Sequence, residues 1–447
     1  SNYLSVINQK KNVETVISCS WIFTANSHDQ LLENYSVVID GGVIVDIVES
    51  DSVFSIYQAN EVYQLTDQLL IPGLINAHSH LAMSLLKGYA DDIELSVWLN
   101  NHIWPAEKSF VSSKFVSDGS RLAMAEMLKG GITTFNDMYF YPQETAEVSD
   151  EIGMRANIGL VVLDFPTGYA SDAQDYLNKG LNFRDTWRDN PLITTSIAPH
   201  APYSVSDESF FIIGTYANQL QMTIHTHLHE TEAEISESLQ KFNMTPIQRL
   251  DKLGILGPNV TAAHCVHLND FDINILEKNQ VNVIHNPSSN MKLGSGVANI
   301  KVLYEKGVNI GLGTDSSASN NRLDIITEIR CTSLLHKGKN KDAEFLKPLD
   351  VIKMATINSA KAIGLDGKVG SIEIGKRADI TVINLNSIEC QPCYDPLSAF
   401  VYSADKNSVS HVWVDGSIKV KKNFLVNIDE DKLLHNAKLW QTKIKKI

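Results

Sequence analysis

Cysteine is scarce in this chain, with five residues in 447: Cys19, Cys265, Cys331, Cys390 and Cys393. An odd, scattered set does not make a disulfide framework, so reduced thiols are expected. Cys390-Gln-Pro-Cys393 has no second CxxC to complete a zinc ribbon, and reads as incidental. Long apolar runs are missing too: nothing approaches the roughly 20 residues that cross a bilayer. The start, Ser1-Asn2-Tyr3, leads into Asn8-Gln9-Lys10-Lys11 rather than an apolar signal core. A cytoplasmic protein with no membrane partner is expected. Positive charge is in deficit, 38 Lys and Arg against 52 Asp and Glu, for a net charge of -14. That opposes a polyanionic partner, so no nucleic-acid binding is expected. Low-complexity segments are absent, and 43% hydrophobic with 20% charged residues excludes extensive disorder. The length fits one large domain plus a smaller one.

Histidine, by contrast, is plentiful, with 14 residues, and it is not evenly spread. The two ends of the chain read as β: Ser36–Asp40 and Val43–Val48 flank Gly41-Gly42, Ala378–Ile383 alternates, and His411–Val414 and Ser417–Val420 flank Asp415-Gly416. Between about Ile71 and Gly364 short apolar runs end in polar residues and lead into helical segments, such as Ser120–Leu128 stopped by Gly130-Gly131. Eight such units end at His78 and His80, Asp137, Asp164, His200, His225 and His227, His264, His285, and Asp315. The step averages about 34 residues, the length of a strand, a helix and two loops, so a (β/α)8 TIM-type barrel is expected, with a doubly wound sheet as the alternative. The division expected is 1–70 and 367–447 as the two parts of a small β-sandwich, the second with a tail, around a metal-dependent barrel at 71–366.

Barrel enzymes place their chemistry at the carboxyl ends of the strands. Nine of the histidines sit there: His78, His80, His200, His225, His227, His229, His264, His267 and His285. His78 and His80, two apart on an extended strand, point to one side and can share an ion. His225, His227 and His229 also alternate, and alternation alone does not choose among them. Asp315 follows a glycine-containing run and offers a carboxylate, although a helix N-cap is an equally good reading of it by itself. Three imidazoles, a carboxylate and an open position suit catalytic zinc or another divalent transition ion.

Motifs along the whole chain carry a resemblance: Pro72-Gly-Leu-Ile-Asn-Ala-His-Ser-His80, Ile103-Trp-Pro-Ala-Glu107, Gly130-Gly-Ile-Thr-Thr134, Ala198-Pro-His-Ala-Pro-Tyr203, His227-Leu-His-Glu230, Ala263-His264, Asn286-Pro-Ser-Ser-Asn290, Gly313-Thr-Asp-Ser316 and Gly370–Asp379. In this order they resemble the amidohydrolase superfamily, and within it the branch of methylthioadenosine/S-adenosylhomocysteine deaminases that also contains triazine hydrolases. The resemblance implies His78, His80, His227 and Asp315 as metal ligands, with Glu230, His264 and Asp315 catalytic. It implies Glu107, on the ribose hydroxyls, and His200, Glu230 and Asp315 as substrate contacts, with Asn290 a further one. Binuclear members bridge their ions with a lysine or carboxyl group near the end of the fourth strand; here that strand ends Ile197-Ala-Pro-His200, so one divalent ion, zinc, is expected. A divalent ion lowers the pKa of a bound water from 15.7 toward about 7. Asp315 then takes the water proton and Glu230 protonates ring N1 of a purine.

The activity implied is hydrolytic deamination of 5'-methylthioadenosine, S-adenosylhomocysteine or adenosine to the inosine form plus ammonia, by a homo-oligomer acting on a small purine nucleoside. The alternative is a hydrolase of another amidine-like heterocycle, such as a triazine, guanine or cytosine. A non-catalytic assembly protein would be expected to have lost ligands, and all four positions are filled. Trp98, Trp104 and Tyr139 are candidates to stack on the substrate. Some members carry arginines after the third strand that reach the substrate, whereas Asn157–Pro166 has none. Arg155 reads as structural, leaving Arg184 or Arg188 to substitute from a loop.

Overall fold

The computed structural model describes residues 9–445; the polar start read at residues 1–8 lies outside the described residues. Eight strands form one parallel sheet: β5 (Leu74–Ser79), β6 (Ile132–Tyr139), β7 (Arg155–Val162), β8 (Ile193–Pro199), β9 (Thr223–Leu228), β10 (Val260–His264), β11 (Asn282–His285) and β12 (Ile310–Leu312). Their order in the sheet is their order in the chain, with no reversal, which makes a barrel and removes the doubly wound alternative. β6 and β7 are buried at every position. A strand covered on both sides shows no polar alternation, which is why these segments read as apolar runs.

β12 and β5 meet through single contacts rather than a ladder. The Asn76 side chain accepts the Thr314 N–H at 3.0 Å and donates to Thr314 Oγ1 at 2.8 Å. One step further, the Asp315 N–H donates to the His78 carbonyl at 2.9 Å. Gly313 permits this approach, since a Cβ there would lie 2.7 Å from the His78 backbone nitrogen. The helices follow the expected punctuation: Ser112 Oγ caps Ser113–Lys129 by accepting the Phe115 N–H, and Gly131, at φ +83°, turns the chain into β6.

The remaining strands make a second sheet from both ends of the chain: β1 (Lys11–Phe23), β2 (Leu31–Asp40), β3 (Val43–Glu49), β4 (Tyr57–Pro72), β13 (Ile380–Asn384), β14 (Val409–Val414), β15 (Ser417–Lys421) and β16 (Phe424–Leu425). They are hydrogen-bonded as one sheet in the order β16-β15-β14-β13-β4-β1-β2-β3. The sheet curls until its two hairpin turns touch: a Cβ on Gly416 would lie 2.8 Å from Gly42 Cα. Ile17, Ile39 and Ile44 from one end thereby share a core with Ile380 and Trp413 from the other, so the curled sheet packs on itself as a small sandwich. A helix, Ser50–Ile56, interrupts the N-terminal strands. The tail leaves the sheet as the helix Glu430–Lys445 and lies on the barrel flank. There Trp440 meets Phe115 edge-on at 5.4 Å and donates Nε1–H to Asp118 at 2.8 Å. Among the described residues no helix is long and apolar enough to cross a membrane.

Arg155 joins the two sheets. Its Nε and Nη2 donate to both oxygens of Asp379 at 2.7 and 3.1 Å, and Nη2 also donates to Asp415 at 3.0 Å. Arg155 and Asp379 are 3% and 1% exposed at the side chain, so each is paired because an unpaired charge there would be costly. Arg155→Ala leaves the buried Asp379 carboxylate facing a hole, while Asp415 keeps Arg377, and a stability loss of about 3–5 kcal/mol is expected, read as a lowered urea midpoint.

Candidate metal centre and active-site cavity

The carboxyl ends of the strands bring the expected ligands together. His78 is the fifth residue of β5 and fully buried; His80 follows the strand by one residue, its ring 4.9 Å from that of His78. His227 lies on β9, His264 ends β10, and Asp315 follows β12 with φ +60°. His78, His227, His264 and Asp315 each offer an atom within 4.8 Å of the others. His80 closes the ring: its Nε2 is 3.2 Å from Asp315 Oδ1 and 3.3 Å from His227 Nε2. Asp315 Oδ1 also lies 3.2 Å from His78 Nε2.

The outer nitrogens explain why the inner ones are free. Nδ1 of His80 donates to the Met138 carbonyl and Nδ1 of His227 to the His200 carbonyl, both at 2.6 Å. Because a carbonyl only accepts, Nδ1 carries a proton, and each ring in its neutral form turns an Nε2 lone pair inward. His264 Nδ1 is held the same way by Asn290 Oδ1 at 2.7 Å. His78 Nδ1 pairs with His225 Nε2 at 2.8 Å, and an inward lone pair on His78 requires it to be the donor there. Nε2 of His78 and of His264 are buried with no hydrogen-bond partner, and buried polar atoms rarely remain so. Asp315 is steadied by Ser289 Oγ, which donates to its Oδ2 at 2.8 Å. This donor set fits a divalent transition ion.

The charge pattern points the same way. Burial drives the imidazoles of His227 and His225 well below their usual pKa, and neighbouring imidazoles add to it. Burial also takes His78 down to about 4, against the pull of Asp315. For His80, burial is outweighed by the hydrogen bond and charge of Asp315, and its pKa rises to about 9. Burial would raise Asp315, yet the imidazoles of His78, His80 and His264 hold it well below the carboxylate range. Without an ion His80 carries the positive charge that answers Asp315; a divalent ion would take over that role and leave His80 neutral as a ligand.

Glu230, 13% exposed at the side chain, puts Oε2 3.5 Å from His264 Nε2. Burial raises its pKa, and Asp315 pushes it in the same direction. Glu107 comes from the helix Trp104–Phe110 in the excursion between β5 and β6, and its carboxylate accepts the Tyr139 hydroxyl. Burial lifts Glu107 to about 7, even though the Tyr139 hydrogen bond pulls the other way. His200 follows β8; Nδ1 bonds Ser204 Oγ at 2.8 Å, and burial lowers its pKa to about 4.

These groups open into a cavity of about 560 Å³, within the range of roughly 300–1,000 Å³ of small-molecule sites. His80, Glu107, His200, His227, Glu230 and Asp315 line it, as do Trp98, Trp104 and Tyr139. Asn290, expected as a substrate contact, is not on its wall: its Oδ1 is committed to His264. Arg184 and Arg188 are absent from the lining too, since they end the helix Ala173–Trp187 away from the cavity. His229 turns out of line at φ +54° and ties loops, donating to the His267 carbonyl and accepting the Ile247 N–H. His285 pairs with His336 instead of joining the centre. Sequence reasoning assigned no task to Ser289, although it lies inside the Asn286–Asn290 motif, and saw nothing to link Tyr139 with Glu107.

Comparison with known proteins agrees with this geometry. The chain is 43% identical over 435 residues, 97% of its length and 98% of the relative's, to a 5-methylthioadenosine/S-adenosylhomocysteine deaminase of Saccharophagus degradans. It is 38% identical over 427 residues, 95% and 97% of the two chains, to a 5'-deoxyadenosine deaminase of Methanosarcina acetivorans. An adenosine deaminase from Xanthomonas campestris solved with bound zinc superposes with a TM-score of 0.96 at 37% identity, over 98% of this chain and all of that one. The amidohydrolase family model matches residues 69–419, and with the closed barrel and its strand-end histidines this chain belongs to the amidohydrolase family.

Proposed function

We propose that this amidohydrolase is a hydrolytic deaminase of purine nucleosides of the 5'-methylthioadenosine type, acting with one zinc ion held by His78, His80, His227 and Asp315. The observation that carries the reading is the set of imidazoles pinned at Nδ1 with Nε2 turned toward Asp315, and a Glu230 carboxyl kept near them with a raised pKa. The names of its relatives support the substrate class. Among the described residues there is one such cluster, and the end of β8 supplies neither lysine nor carboxylate, which supports a single ion.

When bound, the ion supplies Lewis acidity that makes a water nucleophilic at neutral pH. Asp315 accepts the proton as water adds to C6 of the purine. Glu230, whose pKa burial raises, is the group placed to donate a proton to ring N1, so charge displaced onto the ring is neutralised as it forms. His264, fixed by Asn290, faces both carboxyls at 3.5 and 3.6 Å and steadies the charge they exchange. Asp315 then passes its proton to the amino group, and ammonia leaves as the C6 hydroxyl gives up its proton, which returns to Glu230, completing the carbonyl and restoring the acid. His200, neutral, offers a hydrogen bond to the heterocycle. Glu107 takes the ribose hydroxyls on the carboxylate capacity that Tyr139 leaves free. That Glu107–Tyr139 pair favours a nucleoside over a free base or triazine, which has no diol to satisfy it.

Purified enzyme should convert 5'-methylthioadenosine to its inosine form with equimolar ammonia, followed by purine absorbance; absence of ammonia refutes the reading. Chelation should abolish turnover, and one equivalent of zinc should restore it. Glu230→Gln should retain zinc by elemental analysis while kcat falls about 10²- to 10⁴-fold; a near-normal rate would remove it from proton transfer. Glu107 accepts the diol best when ionised, so nucleoside affinity should strengthen as pH rises through about 7 and weaken below it. Tyr139→Phe deletes a bond that favours the carboxylate, and should raise KM more than it lowers kcat while moving this pH midpoint upward.

A further inference from the structure

The outer part of the cavity differs sharply from its floor. Beyond the histidines and carboxylates the wall is built from Leu99, Phe140, Tyr141, Leu163, Phe165 and Tyr169, on the loops after β5, β6 and β7. The Tyr141 hydroxyl is already used, donating to the Gly168 carbonyl at 3.2 Å. Among the lining residues the only ammonium or guanidinium is Lys108, exposed on the helix Trp104–Phe110. A second cavity, of about 590 Å³, shares Trp104, Phe165, His200 and Tyr203 with the first, so the wall leads outward instead of closing. Of the two cations there, Arg249 is spent, donating to Asp207 at 2.6 Å and to the carbonyls of Pro202 and Val205 at 2.6 and 2.8 Å, and Lys241 is exposed with its ammonium 5.3 Å from the Phe242 ring. Glu208, Glu234 and Glu237 line the same mouth.

We infer that the outer wall selects neutral, apolar 5' substituents, including alkylthio chains longer than methyl, and rejects an amino-acid chain ending in a carboxylate. This rests on the nucleoside reading above and sharpens it. Glu107 fixes the ribose and Glu230 the purine ring, so the 5' group is the part left to meet the aromatic wall. A methylthio or alkylthio group buries apolar area there at no polar cost. A homocysteine carboxylate entering the same space loses water and meets no buried cation to replace it, only the exposed, hydrated ammoniums of Lys108 and Lys241, while Glu208 and Glu237 at the mouth repel it.

The experiment compares 5'-deoxyadenosine, 5'-methylthioadenosine, 5'-butylthioadenosine and S-adenosylhomocysteine. The last two carry four-carbon chains on sulfur and differ by the amino and carboxyl groups, so charge is separated from length. Each buried methylene should raise kcat/KM roughly three- to fourfold, and S-adenosylhomocysteine should fall about 100-fold or more below the butylthio compound. Phe165→Arg, at a position 45% exposed and therefore tolerant, should narrow that gap by improving S-adenosylhomocysteine. Parity of the two four-carbon substrates in the unaltered enzyme, within about threefold, overturns the inference. The same ranking should hold for binding of the corresponding inosine compounds by equilibrium titration, which needs no turnover. Binding in this order without deamination of any nucleoside would retain the selective wall and refute the deaminase. Deamination that ignores 5' charge would do the reverse.

Discussion

The barrel closes where its chemistry lies, and the two cannot be separated. A parallel barrel needs its first and last strands to meet, and here β12 is only three residues long. The seam is completed beyond it, by Asn76 with Thr314 and by the Asp315 N–H on the His78 carbonyl. Those last two residues are a histidine and a carboxylate facing the centre, 3.2 Å apart. The hydrogen bond that seals the sheet therefore sets the distance between them. Asp315 is held in the left-handed region to make it, a strained conformation of the kind that persists only where surroundings over-determine it. Gly313 is the concession that lets the backbones approach.

From that seam outward, each inward group is fixed by a partner one layer further back. Met138 and His200 hold His80 and His227 through their carbonyls, Asn290 holds His264, His225 holds His78, and Ser289 holds Asp315. Backbone carbonyls are rigid acceptors with no proton to give, so they determine tautomer as well as direction. The cluster can thus be buried without being mobile. Burial in turn keeps most imidazoles neutral, which is the form that binds a metal, and raises the pKa of Glu230. One structural decision, to sink these residues at the floor of a closed barrel, produces ligand basicity and acid strength together.

Much of this was legible in the sequence. Parallel strands buried on both faces appear as apolar runs, and the polar residue ending each run marks the catalytic rim, so the barrel and the places of His78, His80, His264 and Asp315 follow from pattern alone. What pattern does not carry is depth along a strand. His225, His227 and His229 alternate identically, yet His225 sits one step below the centre against His78, His227 is level with it, and His229 has turned aside after β9 ends. Contacts formed by excursions were equally hidden. Tyr139 and Glu107 meet only because a helix between β5 and β6 folds back over the rim, and Asn290 could not be told from a substrate contact until its partner was visible. The docking of Glu430–Lys445 on the barrel flank is likewise a matter of tertiary packing that no local signal near Trp440 announces.

The cavity divides its work between a polar floor and an apolar wall, and the division has a kinetic meaning. In the proposed reaction the groups on the floor would meet atoms whose charge changes between substrate and transition state, so their energy would appear in the chemical step. The wall meets a 5' substituent that takes no part in bond making. Its contacts are the same before and during reaction, and such uniform binding lowers KM without raising kcat unless it is used to hold the reacting carbon in place. On the proposed reading the ribose would connect the two regions, with Glu107 gripping it between them. With the sugar held there, burial of the 5' group would anchor one end of a short, stiff nucleoside while Glu230 and Asp315 would engage the other. Part of the wall's apolar contact is then realised as orientation of C6 over the floor, so truncating the 5' group should weaken the chemical step as well as binding.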